Sequence, residues 1–321
     1  MAKVTALALA TVMTLTATAA AQEWPTRPVT MVVPFTAGGP VDVAARLIAP
    51  RVSESLGQQI VVENMGGAGG MTGSNRVAKA SPDGYLLVLG NGGTHAYNQS
   101  LYKRPLYNSE SDFSPVGVVV ENTKVLIVRN DFPANSLPEF VAYVKANQAK
   151  LQYGSAGAGS ATHIACLLLN YRMGTDVTHV PYRGGPEVLA DIFGGRVDFY
   201  YCPISTALPL IRDGRVVALA TSTPQRASTL PNVPTSLEAG YANSDYTVWY
   251  GVFMPAKTPR AILDRFHATT MKVIETPAMQ QKLAELAVDP MPLKPAEFDA
   301  LVESEIKANE KLIKGAGIKP N

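Results

Sequence analysis

Along the chain the spacing of apolar positions switches repeatedly between the strand and the helix period. Residues 28–33 (Pro-Val-Thr-Met-Val-Val) are an extended apolar run of strand length that breaks at a Thr-Ala-Gly-Gly turn. Beyond the turn, Ala44, Leu47, Ile48, Val52 and Leu56 recur on one helical face, so a helix opening on Pro40 and closed by Gly57 is predicted. Residues 59–63 predict the next strand, 74–80 have helical character, and 85–89 predict a third strand after the Pro82-Asp83-Gly84 turn. Further strands are predicted at 124–128, 151–154, 177–180, 197–201 and 216–220. Between them one helix opens at Ser136 with Glu139 three residues on, an N-capping arrangement, another carries Ala161 to Met173, and a third ends at Phe193. From Pro259 the chain is helical and comparatively charged. Strands alternating with helices over short connections predict an α/β fold with mostly parallel sheets.

One device recurs. A buried strand ends in a Gly-rich turn and a helix starts directly after it, at 36–42, 154–163 and 183–187, and a fourth turn at 90–95 also follows a strand. Ligands of open α/β sheets sit beyond the carboxyl ends of the strands. Helix N-termini there present N–H groups without intrahelical partners and about half a unit of positive charge. Such turns in both halves of the chain can face one another across a cleft, and they suit a small anion.

The turns carry no G-x-x-x-x-G-K-[ST] pattern, which excludes a phosphate loop, and Gly67-Ala68-Gly69 with Gly73 is one residue off the dinucleotide fingerprint. Ser155 and Ser160 with His163 raise a secreted serine hydrolase as the rival class. Residues 153–157 hold only half of the nucleophile-elbow pattern, with Tyr153 where its first glycine belongs. His163, three residues after Ser160, is placed to cap the turn or reach a ligand, and poorly placed as a base for Ser155. His95, His179 and His267 have no metal-ligand spacing, and neither metal nor cofactor is expected. Asp42 at a helix start reads as a cap that holds the 36–40 turn with its amides outward. Arg183, in a Gly-rich loop, has the fork for a two-point carboxylate contact.

Composition narrows the class. One early cation (Lys3), an apolar and Thr-rich stretch from Val4 and small residues at Ala19 and Ala21 read as a signal peptide cut after Ala21, so a periplasmic location is expected. Apolar residues make up 46% and charged residues 17%, as in a globular protein, and a formal net charge of +2 with scattered basic residues gives no case for nucleic acid. Cys166 and Cys202 either form one disulfide or stay as buried free thiols; the second is favoured, because a single pair makes no framework.

At residues 33–42, Val-Pro-Phe-Thr-Ala-Gly-Gly-Pro-Val-Asp resembles the P-F-x-A-G-G-x-x-D turn of the Bug family, the extracytoplasmic solute-binding receptors of tripartite tricarboxylate transporters. Similar to that family too are Val62-Glu63-Asn64 with the glycines of 67–70, Thr94-His95-Ala96 with Asn98, Tyr153-Gly154-Ser155 with Gly159-Ser160 and His163, Val180-Pro181-Tyr182-Arg183-Gly184, Gly194-Gly195-Arg196-Val197-Asp198, and Gly315-Ala316-Gly317-Ile318. The resemblance implies a two-lobed periplasmic binding protein fold of type II, two mixed or mostly parallel sheets flanked by helices, closing on a carboxylate. It implies a first lobe of residues 22–123 and 247–321, a second of 124–246, and crossings near Val120–Val125 and Asp245–Trp249. Phe35, Thr36, Ala37, Gly38, Gly39 and Asp42 would hold a carboxylate together with Ser155, Ala156, Gly157, Ser160 and His163. Thr94, His95, Arg183 and Gly184 would line the remainder.

One departure bears on specificity. Where the family commonly shows an Asp beyond the position of Asp198, this chain has Tyr200-Tyr201-Cys202-Pro203, so Cys202 stands for the acid. Without that carboxylate an ammonium group on the ligand loses a partner, and a dicarboxylate or aromatic carboxylate is expected rather than an amino acid. Tyr200, Tyr201, Tyr97 and Trp249 would wall an aromatic ring or simply fill the lobe cores. The expected partners are the ligand and the membrane subunits of such a transporter, with the receptor a monomer; a sensor that presents its ligand to a signalling protein is the remaining alternative.

Overall fold

The computed structural model describes residues 24–223, 225–227, 229–241, 248–286 and 288–315. The expected signal peptide, the first part of the Asp245–Trp249 crossing and Gly317-Ile318 lie outside the described residues.

In chain order the elements begin β1 (Val29–Val33), α1 (Pro40–Leu56), β2 (Ile60–Asn64), α2 (Met71–Ala78), β3 (Leu86–Asn91), α3 (Asn98–Leu101) and β4 (Phe113–Asn122). There follow β5 (Lys124–Arg129), α4 (Leu137–Asn147), β6 (Gln152–Ser155), α5 (Ala161–Met173), β7 (Thr178–Pro181), α6 (Gly185–Phe193), β8 (Phe199–Pro203), α7 (Ile204–Arg212) and β9 (Val216–Thr221). The chain ends with β10 (Val248–Pro255), α8 (Arg260–Ile274), α9 (Pro277–Glu285), β11 (Val288–Pro290) and α10 (Pro295–Gly315).

Two sheets result. A six-stranded one runs β11-β4-β10-β3-β1-β2, and a five-stranded one runs β7-β6-β8-β5-β9. The βαβ units give the parallel pairs, β1 with β2 and β3, and β6 with β7 and β8. The antiparallel partners are β10 beside β3 and β4, and β5 beside β8 and β9, so both sheets are mixed.

Strands β4 and β10 have no counterpart among the sequence-predicted strands. Pro115 and Gly117 interrupt the β4 pattern, and its pairing with β10 slips register twice. β10 is buried at every position, so it shows none of the alternation that marks a half-exposed strand. α7 was hidden for a related reason, since Pro209 lies inside it.

Strand alternation divides each core. Met31, Leu89 and Val252 pack on one face of the first sheet with Phe266, while Val32, Val88 and Phe253 pack on the other with Phe298. In β8, Phe199 and Tyr201 face one way, Tyr200 and Cys202 the other. Only Thr123 separates β4 from β5, and β10 begins beside that joint, with Val248 opposite Asn122.

Both cysteines are free and buried, and burial pushes the Cys166 thiol up to about 12 and the Cys202 thiol higher still. An aromatic-disulfide reagent is therefore expected to label neither thiol in the folded protein and both in denaturant; labelling of either under native conditions contradicts this packing.

Candidate functional site

The α1 turn is a braced cradle. Gly39 caps the helix without a side-chain bond, and Pro40 occupies its first turn. Asp42, 2% exposed, accepts from the Gly38 amide at 2.9 Å, from Arg46 Nε at 2.9 Å and from Asn64 Nδ2 at 2.9 Å. Asn64 Nδ2 also donates to the Phe35 carbonyl at 3.1 Å. Burial raises the Asp42 carboxyl, but the Arg46, Gly38 and Asn64 donors outweigh it and hold the group below its ordinary range. Asp42 thus anchors the turn. The amides of Val41 and Asp42, in the first turn, have no intrahelical carbonyl to meet.

The α5 turn is built from hydroxyls and rings. Ser160 Oγ accepts the His163 backbone N–H at 3.3 Å, and Thr162 Oγ1 accepts the Ala156 amide at 3.0 Å. The Ser155 hydroxyl bonds to His179 Nε2 at 2.6 Å and also accepts the Gly157 amide. His163 Nδ1 accepts the Gly159 amide at 3.0 Å, and its ring stacks on His179 with centroids 4.0 Å apart. Burial depresses both imidazoles, His163 to about 3, with His179 adding to the effect, and His179 to about 4. They stay neutral at working pH and act as scaffold; His163 does not serve Ser155. The α6 turn follows the plan of α1, with Gly184 extended at φ −170° as a cap without a side-chain bond and Gly185-Pro186 opening the helix.

A small cavity of about 30 Å³ lies where these three turns meet. From the first sheet's half come Phe35, Gly39, Pro40, Val41, Asn91, Val248 and Tyr250; from the second come Lys124, Ala156, Ser160, Ala161, Thr162, Gly185, Tyr200 and Pro203. The site sits at the carboxyl ends of β3, β6 and β8, the position open α/β sheets favour. Helix N-termini of 17, 13 and 9 residues converge there from both halves, and among the described residues no Asp or Glu lines it.

The halves meet closely around it. Tyr102 Oη donates to the Ala158 carbonyl at 2.6 Å, and Thr36 Oγ1 donates to Glu187 Oε2 at 3.2 Å. A Cβ on Gly69 would fall 2.0 Å from the Ala158 carbonyl oxygen, and one on Gly93 would fall 2.6 Å from the Ala161 nitrogen. The two halves are thus in direct contact around the cavity.

Of the residues expected to contact a ligand, Phe35, Gly39, Ala156, Ser160 and Tyr200 line the cavity. Thr36 and Gly184 pack on one another at its rim, while Ala37 and Gly38 are exposed on the outer side of the turn. Arg183 is exposed too, and borders an outer groove with Gly157 and Glu187. Ser155, His163 and Cys202 lie below the cavity lining, and Asp42 is the brace behind it.

Thr94 and His95 differ most from expectation. Thr94 Oγ1 accepts the Asn91 amide at 2.9 Å, and the His95 ring stacks on Phe253 at 3.8 Å inside the first half. Burial depresses that imidazole to about 3. The 93–97 segment is helical rather than an open turn, which rotates both side chains inward.

Of the four aromatic residues considered, Tyr200 alone reaches the cavity. Tyr201 points to the opposite sheet face, Tyr97 is in the core, and Trp249 packs on Phe298 and donates Nε1 to Glu305 at 3.0 Å. Tyr250, Asn91 and Lys124 line the cavity and were not anticipated. Alternation along β10 puts Tyr250 there once Trp249 is placed, and Lys124 is the lone charge ahead of the Val-Leu-Ile-Val run.

Among the described residues no helix is long and apolar enough to cross a membrane, and no group of three His, Cys, Asp or Glu is placed to hold a metal ion.

Residues 44–318 match the model of the tripartite tricarboxylate transporter family receptor. Three solved structures are similar over nearly the whole chain. The periplasmic binding protein BugD is 35% identical with a TM-score of 0.89, covering 92% of this chain and 99% of that one. MatC of Rhodopseudomonas palustris with bound malate is 36% identical with a TM-score of 0.87, over 90% of this chain and 100% of that one. An R. palustris protein with adipate is 35% identical with a TM-score of 0.89, over 93% and 100%. The fold is that of a two-lobed periplasmic binding protein, as the sequence resemblance implied. The chain belongs to the tripartite tricarboxylate transporter receptor family, as a solute-binding protein of the Bug type and not an enzyme.

Proposed function

We propose that this receptor captures an amine-free dicarboxylate or aromatic carboxylate between its lobes and delivers it to the membrane subunits of a tripartite tricarboxylate transporter. The observation that carries the reading is the meeting of three helix N-termini, contributed by both halves, on a cavity free of acidic side chains among the described residues. Amides of the α1 and α5 first turns take one carboxylate, directly or through water. Asn91, whose Oδ1 already accepts the Thr94 amide at 3.0 Å, turns its remaining amide donors to the ligand. Tyr200 and Tyr250 supply the apolar walls. Two relatives with malate and adipate support a diacid, and Cys202 in place of the family's acid argues against an amino acid.

In this reading residues 1–21 export the chain, and the lobes divide at 123/124 and 246/247, where the single-residue joint supports the first boundary. Closure excludes water and so strengthens the amide–carboxylate bonds. Calorimetric titration with malate, adipate, terephthalate and aspartate tests the proposal. The diacids without an amine are expected to bind at about micromolar Kd or tighter. Aspartate binding as tightly as malate would sink the amine-free assignment.

A further inference from the structure

We infer that Lys124 is the second anion site of the cleft: its ammonium takes the distal carboxylate of a diacid whose first carboxylate rests on the helix N-termini. The inference rests on the carboxylate-receptor reading above and names the group that selects for two negative charges.

The placement carries it. Lys124 opens β5, directly after the single-residue joint, and its side chain lines the interlobe cavity at 1% exposure. Its β8 partner is Pro203, at the carboxyl end of that strand, so the residue sits at the hinge side of the site. Among the described lining residues it alone carries a charge; the others are glycine, proline, apolar, hydroxyl, amide or aromatic. The first four residues that follow it, Val125 to Val128, are fully buried, so nothing in the strand pattern calls for a lysine. An ammonium in such surroundings is costly to desolvate and interacts strongly with an anion delivered to it. The same charge repels a ligand amine, which reinforces the selection against amino acids already drawn from Cys202.

Lys124 is also poised to couple binding to protons. Burial lowers its ammonium to about 7, partly offset by the nearby Cys202 and Cys166 thiols. The titratable groups packed around it are Cys202 and Tyr200 on β8, Cys166 on α5 and Tyr250 on β10, and burial pushes all four up so that they stay neutral near pH 7. An arriving carboxylate favours the charged amine and draws a proton onto it.

The test compares adipate, malate and terephthalate with butyrate and benzoate, their singly charged counterparts, by calorimetry on wild type and Lys124→Met. Removing a buried ammonium for an isosteric apolar chain keeps the fold, which a thermal melt checks. The variant is expected to lose about 100-fold or more in diacid affinity while the monoacids change by less than about threefold. Wild-type diacid affinity should fall about tenfold per pH unit above the Lys124 midpoint, and Lys124→Met should lack that slope. As a measurement that needs no variant, adipate binding at pH 8 in buffers of different ionisation enthalpy should show uptake of close to one proton. Wild type binding none of the three diacids overturns the receptor reading and this inference with it. Diacid binding that survives in Lys124→Met, or that takes up no proton at pH 8, overturns the inference alone.

Discussion

Gly93→Ala is expected to yield a stable protein that binds its ligand about 10- to 100-fold more weakly. Gly93 lies in the first half, in the helical 93–97 segment, and its φ is outside the left-handed region, so alanine suits its backbone. The added Cβ would lie 2.6 Å from the Ala161 nitrogen and 3.0 Å from the Gly159 carbonyl oxygen, both backbone atoms of the opposite half. Those atoms belong to the α5 turn and cannot step aside without distorting the carboxylate cradle. A contact to Asn91 Oδ1 at 3.0 Å lies within the same half and relaxes by a small side-chain shift. Overpacking of this kind costs about 1–3 kcal/mol, and here the cost falls on the closed state alone. Small-angle scattering should show ligand-driven compaction of wild type and its loss in the variant. Wild-type affinity in Gly93→Ala would mean that the halves do not approach this closely when the site is filled.

Asp42→Ala is expected to cost about 2–3 kcal/mol of stability and to weaken ligand binding about tenfold. The substitution removes the acceptor for the Gly38 amide and for one Asn64 bond. Arg46, whose side chain is 53% exposed, can turn to water, which keeps the loss below that of a fully buried ion pair. With its brace gone the 36–40 turn loosens, and the amides of α1 are no longer held ready for the carboxylate. The pH dependence has a definite sign. The folded Asp42 carboxyl lies below its unfolded value, near 3.8, so its stabilisation is complete above about pH 4 and vanishes as pH falls through the folded value. Urea unfolding should therefore separate wild type from Asp42→Ala at pH 7, and the gap should narrow as pH falls below the unfolded carboxyl value near 3.8. Parallel curves over the whole range would show that charge on Asp42 contributes nothing.

How far the chain could be read without coordinates depended on whether a feature was local. The β1–turn–α1 unit was legible because Gly38-Gly39, Pro40 and Gly57 each carry a backbone instruction; Gly57 indeed closes α1 at φ 74°. The same held for Ser160 at the start of α5. Thr94 and His95 were misplaced because Gly90-Asn91-Gly92-Gly93 looks like an open turn, while the aromatic cluster of Phe253, Phe113 and Tyr107 draws the ring inward. That cluster joins the loop before β4, β4 itself and the distant β10, so no local signal announced it. Tyr250 and Lys124 escaped for a similar reason. Lys124 is the first residue of β5 and Tyr250 the third of β10, and only the antiparallel pairing of β10 with β3 and of β5 with β8 brings these strand starts beside strand ends at the cleft.

The Thr123 joint has a mechanical consequence. On one side the two ladders are linked by a single residue, and on the other β10 starts within a hydrogen-bonded pair of Asn122. At Thr123 few backbone torsions are left to vary, so this joint restricts how one sheet can turn against the other.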